Sequence, residues 1–333
     1  MAKCQTQVEI CRRNGYHNLM RLFICHQSAL EYWRRHRVLP SDSAKRRCRA
    51  ELPGAPAEIE HSIFTGLTLP VHILLGSQGD RRESAIVHQH VFSGETPVGC
   101  FVNIGNRFMV SSPEFCFLQL ASHLTLIELI VLGYELCGVY SLPVPGDKKV
   151  PEKGFYDRKE LTSTNRLQAF LDSVPGAKGH KKAGRALRYL QDGSASPMET
   201  KLAMLMALPF KLGGYGFKMP EMNRRIDLTR SDRKYFKKSY YVCDLFWPDE
   251  QVAVEYDSDQ FHTGSERIAD DSNKRNALAL AGIQVVSVTR LQLYSVIELE
   301  SAARALAKHM GRRLFSKKSD FAAAHRELRK QLL

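Results

Sequence analysis

The pattern of apolar and polar residues in the C-terminal half of the chain alternates between a helical period and a strand period. Ser196-Pro-Met-Glu199 has the form of a helical capping box, with Ser196 as the N-cap and Glu199 three residues later. The apolar run after it predicts a helix at 201–208. The pattern then predicts strands around 225–228, 240–246 and 251–256, a helix around 269–280, a strand at 283–288 and a final helix from about 296. This order of elements is typical of an α/β layer arrangement.

Upstream of this region, short β-rich segments alternate with turn residues. The segments 71–75 and 85–91 have strand character, and Ser112-Pro113-Glu114 predicts the start of a helix. Residues 120–140 are strongly apolar but contain His123 and two glutamates, so we predict a helix of the protein core rather than a membrane span. Residues 57–140 are therefore predicted to form a small α+β domain.

A chain of 333 residues is too long for one core of average size and predicts more than one domain. The first residues show only a short helical pattern at 28–35 and then a Pro/Gly-rich linker at 53–56. We predict a basic N-terminal appendage at 1–56, the small α+β domain at 57–140, a linker and helix at 141–177, the α/β domain at 178–310 and a basic C-terminal helix at 311–333.

The formal net charge of +13 is concentrated at the two ends of the chain. Residues 1–50 hold eleven Lys or Arg against three Asp or Glu, and residues 311–333 hold seven against two. Basic ends of this kind suit a polyanion, because contact with phosphates releases counterions; the alternative is that they only keep the protein soluble. Eight cysteines lie scattered without metal-ligand spacing, and no signal-peptide pattern precedes them, so we expect a cytoplasmic protein.

The stretch 240–262 carries the candidate chemistry. Asp244 lies in one predicted strand, and Glu255 and Asp257 lie near the end of the next, after a tight turn at 247–250. Residues two apart in a strand share a face, so a hairpin would bring the three carboxylates together. Crowded carboxylates favour a hard cation such as Mg²⁺ or Mn²⁺, which activates water for attack on a phosphodiester. A structural salt bridge is the alternative for Asp244 and Glu255.

The spacing of these residues resembles the PD-(D/E)XK nuclease superfamily, and most closely its Vsr-like endonuclease-domain family. The matching pieces are Ser196-Pro-x-Glu199, Asp244 followed after ten residues by Glu255-x-Asp257, His262, Asp271-x-x-Lys274-x-x-x-Leu278-x-x-x-Gly282 and Val288-Thr289. The resemblance covers about residues 178–308 and implies a restriction-endonuclease-like C-terminal domain. Three positions depart from the usual pattern: Ser258 stands where the family usually has glycine, Lys274 stands where it often has arginine, and Asp257 stands where the superfamily has its lysine.

The resemblance implies a role for each of these side chains. Asp244, Glu255 and Glu199 would hold Mg²⁺ or Mn²⁺, and Asp257 would support the site. The departure at Asp257 leaves open which group steadies the attacking water; candidates for proton transfer or charge stabilisation are His262 and Lys274. Each has a simpler alternative: Glu199 as a helix cap, His262 as a surface loop residue and Lys274 as an exposed helical residue.

A basic segment leads directly into the strand of Asp244. Its cations are Arg224, Arg225, Arg230, Arg233, Lys234, Lys237 and Lys238. They are candidates for binding DNA phosphates, and a solvated loop is the alternative. The sequence therefore predicts a magnesium-dependent endonuclease acting on DNA.

Residues 57–140 resemble, with fewer motifs, the small AbiEi-antitoxin-like domain that accompanies such nuclease domains. The matching pieces are His61-Ser62, Gly66-Leu67-x-Leu69-Pro70, Val71-His72-Ile73, His88-x-His90 and Val110-Ser-Ser-Pro113-Glu114. This likeness implies a toxin or other protein partner. It also keeps an alternative function open, a non-catalytic DNA-binding regulator or type IV antitoxin-like protein. His88 and His90 share a strand face, but with no third ligand evident the pair alone does not predict a zinc site.

Overall fold

The computed structural model describes residues 21–37, 47–48, 50–54, 66–105, 107–236, 238–257, 265–314 and 319–333. The chain divides into two compact units, Met1–Leu120 and Ala121–Leu333. This boundary falls inside the range 57–140 that the sequence predicts as one domain. Both units combine helices with β-sheet, which confirms the prediction of a mixed α/β protein. None of the helices in the described ranges has the length and apolar character needed to cross a bilayer.

The first unit is built on a six-stranded mixed sheet. Its elements are β1 (Leu22–Ile24), α1 (His26–Arg35), β2 (Arg47–Cys48), β3 (Val71–Leu75), β4 (Val87–Val91), β5 (Phe101–Gly105), β6 (Phe108–Ser111) and α2 (Pro113–Leu120). The strand order is β2-β5-β6-β1-β3-β4, with β1 parallel to β6 and antiparallel to β3, and with β3 parallel to β4. β1 lies inside this sheet, between β6 and β3. Residues 22–35 are therefore part of the first unit and do not form the separate appendage expected at 1–56.

The second unit begins with helices. Its elements are α3 (Leu126–Cys137), β7 (Tyr140–Ser141), β8 (Tyr156–Asp157), α4 (Thr164–Asp172), α5 (His180–Leu187), α6 (Pro197–Ala207), β9 (Glu221–Asp227), β10 (Tyr240–Trp247), β11 (Val252–Asp257), α7 (Ser265–Leu280), β12 (Gln284–Thr289), α8 (Arg290–Tyr294), α9 (Val296–His309) and α10 (Ser319–Leu332). The helix predicted over 120–140 is interrupted, because Thr125 and Glu128 form a capping box that starts α3. β7 and β8 pair as a separate two-stranded sheet.

A four-stranded sheet in the order β12-β11-β10-β9 organises the candidate site. β9, β10 and β11 are antiparallel neighbours, whereas β12 runs parallel to β11 after the crossover helix α7. The three strands, helix, strand and helix from β9 to α9 therefore follow the predicted order. α6 packs against β10 and β11, and α7 packs against β10 and β12. Apolar residues of α7 and the sheet, including Ala277, Leu278 and Ala253, form a buried core.

The range predicted as a basic C-terminal helix contains α10, and α10 packs into the second unit. Phe321 and Leu328 are buried, and the Nδ1 atom of His325 lies 2.6 Å from the carbonyl oxygen of Gly213. Arg329 is also buried and donates hydrogen bonds to the carbonyl oxygens of Leu293 and Tyr294. Part of this basic excess therefore stabilises the fold.

Candidate active site

The register of β10 and β11 places Asp244 opposite Glu255. The paired positions run from Trp247 and Val252 to Leu245 and Val254, and Asp244 and Glu255 are the next residues along the two strands. The backbone N–H of Tyr256 donates to Asp244 Oδ2 at 2.8 Å, so the Asp244 carboxylate lies beside β11. The tight turn thus brings together the two carboxylates that the sequence predicts as metal ligands.

Glu199 reaches the same region from the first turn of α6. Ser196 is the N-cap, as predicted, and its hydroxyl accepts the N–H of Glu199 at 3.1 Å. The Glu199 carboxylate accepts the N–H of Ala195 at 3.0 Å and an N–H of Asn223 at 2.6 Å. Glu199 therefore supports the start of the helix and also lies close enough to Asp244 for their charges to interact.

Glu255 has two carboxylate oxygens in different environments. Oε2 accepts a hydrogen bond from the ammonium of Lys274 on α7 at 2.5 Å, and the two side chains are only 14% and 26% exposed. Oε1 is buried and has no hydrogen-bond partner among the described residues. Lys274 is thus not the exposed helical residue of the simpler interpretation, and the salt bridge proposed as an alternative does exist. A buried carboxylate oxygen without a partner is costly, so Oε1 has the character of an open ligand position.

Burial raises the pKa values of all three carboxyl groups, and the charge of Asp244 adds to the shift at Glu255 and at Glu199. Burial first, and then the charge of Asp244, raise the pKa of Glu255 to about 7, although Lys274 and the Cys243 thiol oppose this shift. Burial also raises the pKa of Asp244, against the effects of Lys274, the Tyr256 N–H and Glu255, which all lower it. The pKa of Glu199 rises through burial and the charge of Asp244. At Lys274, burial alone would lower the pKa, but the charges of Glu255 and Asp244 raise it.

The remaining predicted site residues are less closely involved. Asp257 ends β11, two positions after Glu255, and is exposed at the surface. His262 lies outside the described residues. In the described ranges, no three of the predicted carboxylate ligands bring oxygen atoms within 4.8 Å of one another. The tight cluster therefore consists of Asp244, Glu255 and Lys274, with Glu199 at its edge.

The basic segment contains cations in three situations. Arg224, Arg225 and Lys238 form ion pairs with Glu221, Asp227 and Asp270 at 3.3, 2.7 and 3.2 Å. Arg233 donates to the carbonyl oxygen of Leu228 at 3.0 Å. Arg230 and Lys234 are exposed and form no ion pair with any described residue, and Lys237 lies outside the described residues. Of the described cations in this segment, Arg230 and Lys234 are therefore the most available to an external anion.

The donor set fits a hard divalent cation. Asp244 and Glu255 offer carboxylate oxygens, one of them buried without a partner, and Mg²⁺ binds through one or two carboxylates while retaining waters. Two carboxylates are therefore sufficient for such an ion, and a closed cage of three is not required. A cation would also remove the repulsion that raises the pKa of Glu255.

Sequence reasoning missed Asn223. Its side chain donates to Glu199 and also to the carbonyl oxygen of Gly193 at 3.0 Å, and its backbone is left-handed with φ at 49°. In the register of β9 and β10, Asn223 lies opposite Asp244. Counting back from Asp244 along a predicted hairpin would have been the only sequence signal for it.

A second cluster, which the sequence did not predict, occurs in the first unit. Cys25, His26 and His90 place their ligand atoms within 4.8 Å of one another, and they are the only such group of histidine, cysteine or acidic residues in the described part of the chain.

Comparisons of the chain with protein-family models, with curated proteins and with solved structures find no match.

Proposed function

We propose that the second unit is a metal-dependent DNA endonuclease with a restriction-endonuclease-like arrangement of the PD-(D/E)XK type. The observation that carries the proposal is Glu255, whose Oε1 is buried without a hydrogen-bond partner while Asp244 faces it across the hairpin. A purely structural ion pair with Lys274 requires neither the second carboxylate nor the open oxygen. The motif spacing noted in the sequence supports the same assignment.

In this proposal, Asp244 and Glu255 hold Mg²⁺ or Mn²⁺. Glu199, in the first turn of α6, adds a further negative charge near the ion. The ion would supply a water molecule of lowered pKa and stabilise negative charge on the phosphoryl oxygens. The water oxygen would form a new bond to phosphorus and release a proton to solvent, while the bond from phosphorus to one sugar oxygen breaks and that oxygen takes up a proton. Lys274 lies against Glu255 and stays charged because its pKa is raised, so it would supply positive charge to the reacting phosphate.

The DNA partner is supported by the charge distribution. The exposed cations Arg230 and Lys234 lie in the connection that leads into β10, the strand of Asp244. Phosphate contacts from such residues position a duplex without reading its sequence.

We place the protein in the cytoplasm because its eight cysteines show no spacing typical of a disulfide framework.

A plasmid-nicking assay tests this function. Supercoiled plasmid is incubated with the full chain in Mg²⁺, in Mn²⁺ and in EDTA, and the same reactions are run with Asp244→Asn and Glu255→Gln. We expect nicking only with the cation and only with the unchanged carboxylates. Asp249→Asn is the matched control, because Asp249 lies in the same hairpin but is 78% exposed. DNA binding without cation-dependent nicking would contradict the proposal and favour the non-catalytic regulator.

A further inference from the structure

Three neighbouring strands of the first unit bring histidine and cysteine side chains together. Cys25 and His26 directly follow β1, and the N–H of Cys25 donates to the carbonyl oxygen of His72 on β3 at 2.9 Å. His72 is paired in register with His88 on β4, and His90 lies two residues further along that strand. Residues that are far apart in sequence thus meet at one place on the sheet.

The distances in this cluster are close to those of a metal site. Cys25 Sγ lies 3.1 Å from His26 Nδ1, and His90 lies close enough for all three ligand atoms to fall within 4.8 Å. In tetrahedral Zn²⁺ sites, bonds of about 2.0–2.3 Å place neighbouring ligand atoms about 3.3–3.6 Å apart. The three donors are therefore close enough to reach one ion once their side chains rotate.

The surrounding groups hold the donors in place. The N–H of His26 donates to Gln119 Oε1 at 3.0 Å, and His26 has a left-handed backbone with φ at 48°. His90 Nε2 lies 3.0 Å from His72 Nδ1. Metal-binding histidines are commonly oriented by such a partner on the other ring nitrogen. His72 is therefore suited to a supporting role.

The rings of His26 and His90 are stacked, with centroids 3.6 Å apart and planes 14° from parallel. Two rings must turn apart for both nitrogens to bind one ion. The terminal torsion of histidine is broad, so rotation about it can turn the two rings apart.

We propose that Cys25, His26 and His90 form a binding site for a borderline-soft divalent transition metal such as Zn²⁺, with a fourth position left to water or an external ligand. One thiolate and two imidazoles suit this class of ion, whereas the oxygen ligands of the second unit suit Mg²⁺. Cys25 is fully buried and His26 is 8% exposed, whereas His90 is only partly buried, so the ion would enter from the His90 side.

Burial, with a further contribution from Cys116, raises the pKa of the Cys25 thiol well above its usual value. The ion must therefore replace the thiol proton, which favours metals with high affinity for sulfur.

Titration of the metal-free full chain with Co²⁺ tests the site, because tetrahedral Co²⁺ bound to thiolate has visible ligand-field bands and a near-ultraviolet charge-transfer band. We expect about one Co²⁺ per chain with both signals, and displacement of Co²⁺ by Zn²⁺ but not by Mg²⁺. His90→Gln should weaken binding at least about tenfold, as expected for loss of an important metal-site residue. Cys25→Ser should abolish the charge-transfer band.

Matched controls locate the ion. His88→Gln alters the adjacent exposed histidine on the same strand face and should leave the affinity within about threefold. Cys100→Ser alters another fully buried cysteine of this unit and should preserve the charge-transfer band. Circular dichroism checks that each variant is folded, and the partly exposed His90 gives a test that does not depend on changing the core. No thiolate band in the unchanged chain, or the same band and affinity in His90→Gln, would overturn the proposal.

Discussion

Removing the charge of Asp244 should make the metal-free protein more stable at neutral and higher pH. The pKa of Glu255 is about 7 in the folded protein against 4.5 as its ordinary value. Between these values the folded state holds a proton that the unfolded state has lost, so the free energy of unfolding falls as pH rises from about 4.5 to 7. At 1.36 kcal/mol for each pKa unit, ionisation of Glu255 lowers the free energy of unfolding by about 3 kcal/mol above pH 7.

Asp244 is the second cause of this shift, after burial, and its own pKa is raised in the same direction. Asp244→Asn should therefore recover about 1–2 kcal/mol above pH 7 and change little below pH 4.5. The amide oxygen of asparagine still accepts the N–H of Tyr256, so we expect the hairpin to remain intact.

Urea unfolding in EDTA, from pH 4 to 8, measures this effect. A Trp33→Phe background leaves Trp247, at the end of β10, as the only tryptophan, so its fluorescence reports on the second unit. Asp249→Asn is again the control and should change the free energy of unfolding by less than about 0.5 kcal/mol. If Asp244→Asn were less stable than the unchanged chain above pH 7, the reasoning about buried carboxylate repulsion would be refuted.

The remaining predictions concern DNA contact, packing and the support of Glu199. Replacing Arg230 and Lys234 by glutamine should flatten the slope of log affinity for duplex DNA against log salt by about 0.9 for each lost contact. Gly213→Ala should destabilise the second unit by more than about 2 kcal/mol, because φ is +88° and the new Cβ would lie 2.3 Å from a backbone oxygen of α10. Asn223→Gly preserves the left-handed backbone but removes the hydrogen bond to Glu199, which should cost about 1–3 kcal/mol and lower cleavage.

Each of these predictions has its own measurement. An unchanged salt slope in fluorescence-anisotropy titrations would place the DNA surface elsewhere. For Gly213→Ala the comparison is Gly146→Ala, at φ +84° with nothing within 4 Å, which should cost only about 1 kcal/mol in urea unfolding. Equal losses in these two variants would contradict the packing argument. Wild-type stability and nicking rate in Asn223→Gly would show that Glu199 does not depend on its amide partner.

The local parts of the fold could be predicted from sequence, because the signals are local. Ser196 and Pro197 mark the start of α6, and the alternating residues around Asp244 and Glu255 define β10 and β11. The contact between Lys274 and Glu255 was harder to predict from the sequence. The order of the motifs placed both residues in one site, but only the packing of α7 sets the distance between them.

Contacts between distant segments could not be predicted. His88 and His90 were recognised as a pair, but Cys25 lies sixty-five residues before His90 and meets it only because β1 inserts beside β3. The strand order of a mixed sheet is set by packing over the whole unit, and no local pattern near residue 25 encodes it.

The central claim is that Asp244 and Glu255 hold a divalent cation, and anomalous diffraction from crystals grown with Mn²⁺ tests it most directly. The account predicts one strong anomalous peak in contact with the carboxylates of both residues, including Glu255 Oε1, and no peak there in Asp244→Asn crystals. If saturating Mn²⁺ left no peak at these carboxylates and the Lys274–Glu255 ion pair unchanged, the claim would be contradicted.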